Sequence, residues 1–402
     1  MDVGFPELLL IVGLLLATAA ALSGLLQGTV LSISVLSVAA GVVLALAGVV
    51  HVRPDDQDLV HVIELALVFT LFSDGLVADR ELVRRQWHPP ARALVVAMPI
   101  TFALISLGAH LLFPALTWPE ALLLGAVLSP TDPVVTSTVV TAERVPPLVR
   151  HTLNLESGLN DGLALPLVLF FLVLATPGGE PGPAALDLAG KSLAGVAVGF
   201  ALALLAARLL PRLPGRGMTE RYEGIYALGL ALVAFGLTEA TYGNGLIAAF
   251  VAAISLGLLV RDLPEAFAEF NENVSAIFQV VTFFLFGALI VVTGYEGSVL
   301  ALIGFILVTL LVARPVAILL AFVRSRLGRS ERLFVAWFGP KGVASMLFAL
   351  FVLSSQAPDR TLVFDVAAFV ILASIAAHGL TDTVGARWIE RRLGTESGEV
   401  AE

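Results

Sequence analysis

Long apolar runs separated by short polar punctuation dominate this chain from end to end. At ~20 apolar residues per crossing, the runs near 7–26, 29–50, 58–78, 91–113, 120–141, 148–174, 187–210, 223–240, 244–260, 273–293, 298–322, 331–354 and 363–385 predict about thirteen transmembrane helices. The narrowest junctions, Leu26-Gln27-Gly28 and Thr241-Tyr242-Gly243-Asn244-Gly245, predict tight hairpins. Two runs are broken internally, the fifth by Ser129-Pro130-Thr131-Asp132-Pro133 and the twelfth by Phe338-Gly339-Pro340-Lys341-Gly342. Proline lacks a backbone donor and disfavours helix at the residue before it. The breaks lie seven runs apart, an odd offset that reverses direction across a membrane. This predicts two inverted six-helix repeats, about 1–175 and 220–386, joined by a linker helix about 187–210, with the two broken helices crossing near the bilayer midplane. The fold class expected is an all-α polytopic membrane protein. It forms one membrane domain over 1–392, followed by a short cytoplasmic tail at 393–402.

Composition narrows the class further. AVILMFWYC residues make up 58% of the 402 and charged residues 14%, with a mean hydropathy of +0.96, which excludes a soluble domain of ordinary composition. With no cysteine, disulfide and thiolate chemistry are excluded. The first run follows directly on Met-Asp-Val-Gly-Phe-Pro-Glu, without a basic signal-peptide region, and reads as a retained span. With thirteen spans, 18 of the 23 Lys and Arg residues fall on one side. The positive-inside rule then places the N-terminus outside and the C-terminus in the cytoplasm of the cell (inner) membrane. The net charge of -9 is spread over loops and points to no nucleic-acid partner.

Candidate chemistry centres on residues 154–166. At ~100° per residue, Glu156, Ser157, Asn160 and Asp161 share one helical face. An ionised side chain inside hydrocarbon costs several kcal/mol, so these residues are functional candidates by default. The predicted spans 5, 6, 11 and 12 hold Asp132, Glu156, Asp161, Arg314 and Lys341. Pairing Asp132 with Lys341 at the two breaks, and Glu156 with Arg314 on the continuous spans, respects the repeat symmetry and leaves Asp161 without a counter-charge. Such a carboxylate can hold either a proton or a cation, and alternating access turns that competition into exchange. Asp74 and Glu64 lie on the third span, where Asp74 reads equally as an entrance residue or as an interfacial one. None of the six histidines has metal-ligand spacing.

Thr131-Asp132-Pro133-Val134, Glu156-Ser157-Gly158-Leu159-Asn160-Asp161-Gly162, Gly243-Asn244-Gly245, Arg314-Pro315 and Trp337-Phe338-Gly339-Pro340-Lys341-Gly342 together resemble the first cation-proton antiporter group. These are the prokaryotic sodium/proton antiporters related to animal sodium/proton exchangers, and the similarity runs nearly the whole chain in order. The resemblance implies a homodimer whose protomer divides into a dimerisation scaffold and a six-helix core that moves like an elevator. It implies that Asp161 carries Na+, or Li+ or K+, in exchange for H+, with Ser157, Asn160 and the backbone near Thr131 completing the site and Asp74 contributing. Asp161, Ser157 and Thr131 would then ligate the transported Na+, and no resident cofactor is implied. Asn before Asp implies electroneutral exchange, one proton for one sodium, in service of pH homeostasis. Lys341 stands where the family usually has arginine, without arginine's bidentate fork. Two other readings fit parts of the pattern: a sodium-coupled organic anion symporter, and an intramembrane aspartyl protease using Asp74 and Asp161.

Overall fold

The computed structural model describes residues 5–26, 33–76, 87–132, 145–178, 181–209, 220–260 and 265–399, and the described residues contain helices but no strand. In order these are α1 (Phe5–Leu26), α2 (Ile33–Leu46), α3 (Gln57–Leu76), α4 (His88–Leu112), α5 (Trp118–Leu128), α6 (Pro147–Ala175), α7 (Pro181–Leu209), α8 (Glu220–Glu239), α9 (Gly245–Leu259), α10 (Glu265–Thr293), α11 (Val299–Ala321), α12 (Arg329–Trp337), α13 (Val343–Leu353) and α14 (Arg360–Glu399). Seven of them, α3, α4, α6, α7, α10, α11 and α14, are long and apolar enough to cross a membrane unaided. Shorter apolar helices lie within α1, α2, α5, α9 and α13. The junction at 27–28, the second part of the fifth run, and the basic residues at 80–85, 144 and 212–216 lie outside the described residues.

Local chemistry sets the helix starts. Thr117 and Glu120 form a capping box on α5, with the Thr117 N–H donating to Glu120 Oε2 at 2.9 Å. Asn244 Oδ1 accepts from Ile247 N–H at 3.0 Å and opens α9, so the predicted hairpin at 241–245 ends in a cap. The second break is present at residues 338–342, between α12 and α13. The first opens after α5, where residues 130–132 leave the helix. The last helix departs from expectation. It continues through the basic cluster Arg387, Arg391 and Arg392 to Glu399, so most of the predicted tail at 393–402 is helical.

Two features are not legible as apolar runs. α4 contains a π-helical turn at Ala93–Ala97, and α11 contains one at Val308–Ala313. Each is followed by a proline, Pro99 and Pro315. Proline leaves a carbonyl one turn back without its donor and crowds it, and one extra residue per turn relieves the crowding. These helices are again seven runs apart, and the π-turn of each packs against the regular helix of the other. Arg314 directly follows the second π-turn, which therefore sets its direction.

Burial separates the inside of the bundle from its wall. α9 and α13 are buried along almost their whole length. Leu186 and Leu193 on α7, and Leu300, Leu307 and Leu311 on α11, are more than half exposed. The outer wall of the bundle is thus apolar, as a helix bundle that spans a membrane requires.

Candidate functional site

Each break is held by a charge from the other. Lys341 Nζ donates to the carbonyls of Pro130 at 3.1 Å and Ser129 at 3.4 Å, at the C-terminal end of α5. Asp132 Oδ2 accepts from the Val343 N–H at 2.9 Å, at the N-terminal end of α13, and the Asp132 N–H donates to the Pro340 carbonyl at 2.9 Å. The cation thus meets carbonyl ends and the anion an amide end, the arrangement that helix dipoles favour. The expected Asp132–Lys341 pairing takes a different form from a bond between side chains, because each charge satisfies the other break's backbone. Gly342 has no room for a side chain, since a Cβ there would overlap the Asp132 carboxyl group.

Arg314 and Glu156 form a bidentate pair, Nη1–Oε1 at 2.6 Å and Nη2–Oε2 at 3.2 Å, with both side chains buried. Arg314 Nη2 also reaches the carbonyls of Val335 and Phe338 at 3.4 Å, so the guanidinium ties α6 to the end of α12. Its plane lies against Gly339, where a Cβ would overlap it. α14 grips the same break from the other side. Ser374 Oγ accepts from the Lys341 N–H at 2.9 Å, His378 Nε2 lies 2.8 Å from the Trp337 carbonyl, and Trp337 Nε1 donates to Thr381 Oγ1 at 2.9 Å.

The predicted site face of α6 meets the first break. Ser157 Oγ donates to the Thr131 carbonyl at 2.5 Å, while Asn160 Nδ2 donates to Thr131 Oγ1 at 2.9 Å and to the same carbonyl at 3.2 Å. Both lone pairs of that carbonyl are therefore engaged by protein, which makes this triad a frame that positions α6. Asp161, on the next position, turns its carboxyl group to Asp74 of α3, and the two lie within hydrogen-bonding reach. Sequence left the place of Asp74 open; the fold brings it to Asp161. Glu64 instead interacts with His61 and Glu239.

Several oxygens on the helices that carry these carboxyls, and on α13 beside them, are buried and find no hydrogen-bond partner among the described residues: Asp74 Oδ2, Asp161 Oδ1, Asn160 Oδ1, Thr70 Oγ1 and Ser345 Oγ. They belong to α3, α6 and α13, which pack on one another. Buried polar atoms are ordinarily paired, so a cluster of acceptors with free lone pairs suits a small hard cation or a proton. Among the described residues no group of three or more His, Asp or Glu is arranged to hold a metal ion. Thr70, Ser345 and the α14 residues Ser374, His378 and Thr381 were not singled out by sequence. The four-residue spacings Thr70/Asp74 and Ser374/His378 were the available signal.

A family model described as "Sodium/hydrogen exchanger, transmembrane" matches residues 11–385. The chain is 26% identical over 339 residues to the K(+)/H(+) antiporter NhaP of Alkalimonas amylolytica, covering 83% of this chain and 58% of the relative. It is 24% identical over 384 residues to the K(+)/H(+) antiporter NhaP2 of Shewanella oneidensis, covering 94% and 66%. It therefore spans roughly three-fifths to two-thirds of the length of these relatives. In fold it is similar to the sodium proton antiporter MjNhaP1 from Methanocaldococcus jannaschii, with a TM-score of 0.75, 21% identity and coverage of 94% of this chain and 96% of the other.

Proposed function

The chain belongs to the sodium/hydrogen exchanger family, and from that premise we propose that it is a secondary antiporter exchanging a small monovalent cation, Na+ with Li+ or K+ as variants, for H+. The observation that carries this reading is the buried Asp74–Asp161 carboxyl pair, each of whose carboxyls keeps an oxygen without a hydrogen-bond partner among the described residues. Two carboxylates that face one another need either a proton between them or a cation beside them. A pair that trades one proton for one monovalent cation has the same charge in both loaded states, which makes the exchange electroneutral. Asp161 is the principal carrier. Ser157, Asn160 and Thr131 line its site and brace it, while Glu156–Arg314 and the Asp132 and Lys341 caps hold the crossed breaks.

The two breaks and the two π-turns, each set seven runs apart, support inverted repeats and an elevator-like movement of one unit past a fixed scaffold. In this reading the protein is a homodimer in the cell (inner) membrane, N-terminus outside and C-terminus in the cytoplasm, with no cofactor. Facing aspartates would also suit an aspartyl protease, but the relatives are antiporters, not enzymes. The test is a proteoliposome assay with a trapped pH dye. Added Na+ collapses an imposed pH gradient without creating a membrane potential, and Asp161→Asn abolishes the response. Exchange that survives in Asp161→Asn sinks the assignment, and net charge movement removes the one-for-one stoichiometry.

A further inference from the structure

We infer that Thr70 is a cation ligand that sets ion preference, an inference that rests on the antiport reading and deepens it. Buried threonines inside helices commonly turn the hydroxyl back to the carbonyl four residues earlier. The buried Thr152 and Thr238 do so here at 2.7 Å, as do the half-buried Thr293 and Thr381 at 2.9 and 2.8 Å. Thr70 does not. It is 5% exposed, sits in regular helix, and its Oγ1 finds no partner among the described residues. Thr309 shares the trait, but it lies in the π-helical turn, where the four-residue register is interrupted.

Direction supports the assignment. Phe69 faces α10, meeting Phe278 in a tilted ring contact with centroids 5.1 Å apart, and Gly75 faces α9, where a Cβ would press on Ala253. At ~100° per residue, the sector opposite these two contacts holds Thr70 and Asp74, one turn apart on the same face. Asp74 meets Asp161, so Thr70 stands on the cation side of α3, its Cβ about 5–6 Å from that of Asp74, a spacing from which both side chains can turn an oxygen to one ion. α3 is pinned in this rotation, because Ser275 Oγ donates to the Phe69 carbonyl at 3.0 Å.

A neutral oxygen beside a carboxyl pair affects ions unequally. A small, charge-dense ion such as Na+ loses more hydration on entry than K+ does, and depends more on each oxygen that replaces it. Thr70 therefore favours Na+ over K+.

The experiment uses the full chain in proteoliposomes, titrating Na+ and K+ at fixed pH for wild type, Thr70→Val and Thr70→Ser. Thr70→Val, which keeps the shape and removes the hydroxyl, raises the half-saturating Na+ concentration about tenfold, the order expected for one lost ligand. It raises that for K+ by less, so the Na+/K+ preference falls. Thr70→Ser restores the wild-type preference, and Thr70→Ala reproduces the valine result with less bulk. An unchanged preference in both Thr70→Val and Thr70→Ala overturns the inference, as does equal impairment by Thr70→Ser, which marks a packing role. If wild type exchanges cations and Asp161→Asn does not, either result refutes Thr70 alone. Absence of exchange in wild type refutes the antiport reading itself.

Discussion

Arg314 reaches Glu156 with both terminal nitrogens, at 2.6 and 3.2 Å, and turns Nη2 also to the carbonyls of Val335 and Phe338 at 3.4 Å. Removing one partner of a buried pair strands the other charge, at a cost of roughly 3–5 kcal/mol. Glu156→Gln and Arg314→Met are each expected to lower the thermal unfolding midpoint of the purified protein strongly. The double substitution Glu156→Leu/Arg314→Met recovers part of the loss, since only the two carbonyls then lack a donor. A double variant as unstable as the worse single one would show that the carbonyl bonds, not the ion pair, hold α12.

Asp132 serves the Val343 N–H, and that service needs an oxygen acceptor more than a charge. Asp132→Asn keeps an acceptor, whereas Asp132→Ala leaves a buried amide unpaired, a loss of about 1–3 kcal/mol. Unfolding midpoints are expected in the order wild type, Asn, Ala. Equal midpoints for Asn and Ala would mean that charge alone matters at this position.

Asp359, just before α14, has its carboxyl pushed above the usual carboxylate range by burial and then by the neighbouring Glu120. A raised folded-state value means the ionised form is disfavoured by folding, so this group's contribution is full below about 3.9. It is lost as pH rises through the higher folded value. Asp359→Asn is expected to raise the unfolding midpoint at neutral pH and to leave it unchanged at the acid end. The effect is small because the site is largely solvated. A midpoint lowered at neutral pH would reverse the sign.

The Asp55–Arg360 pair, at 2.7 Å, looks as good as Glu156–Arg314 by distance alone, yet the Asp55 side chain is 68% exposed. Water screens such a pair, and its worth is about 0–1 kcal/mol. Asp55→Asn is therefore expected to shift the unfolding midpoint barely, with the shift vanishing at high salt. A large, salt-insensitive loss would contradict this.

How much could be read in advance depended on how local each signal was. The breaks were visible because proline and glycine act on their own backbone. Glu156 and Arg314 could be matched by counting charges. The same counting assigned Asp132 and Lys341 to the two breaks but left open which groups each would meet, because it cannot distinguish a carboxylate from a row of carbonyls as the partner of an ammonium. The nearness of Asp74 to Asp161 stayed open because it depends on how α3 is rotated against α6, which no single run encodes. The π-turns were hidden within apolar runs of the right length, although Pro99 and Pro315 marked them. α14 outruns its predicted end because hydropathy records where the apolar residues stop, and a helix need not stop there. Thr70 was invisible because a missing back-bond belongs to the rotamer and not to the residue type.

The reciprocal caps have a consequence for biogenesis. Lys341 and Val343 lie 211 residues beyond their partners Pro130 and Asp132. At ~5–20 residues per second of synthesis, the first break waits in the nascent chain for tens of seconds at most, its Ser129 and Pro130 carbonyls without the ammonium that answers them, until the second half arrives. Insertion of the early helices is thus provisional. Truncation anywhere before residue 341 removes the ammonium that answers those carbonyls and presents quality-control machinery with an exposed polar breach in an otherwise apolar hairpin.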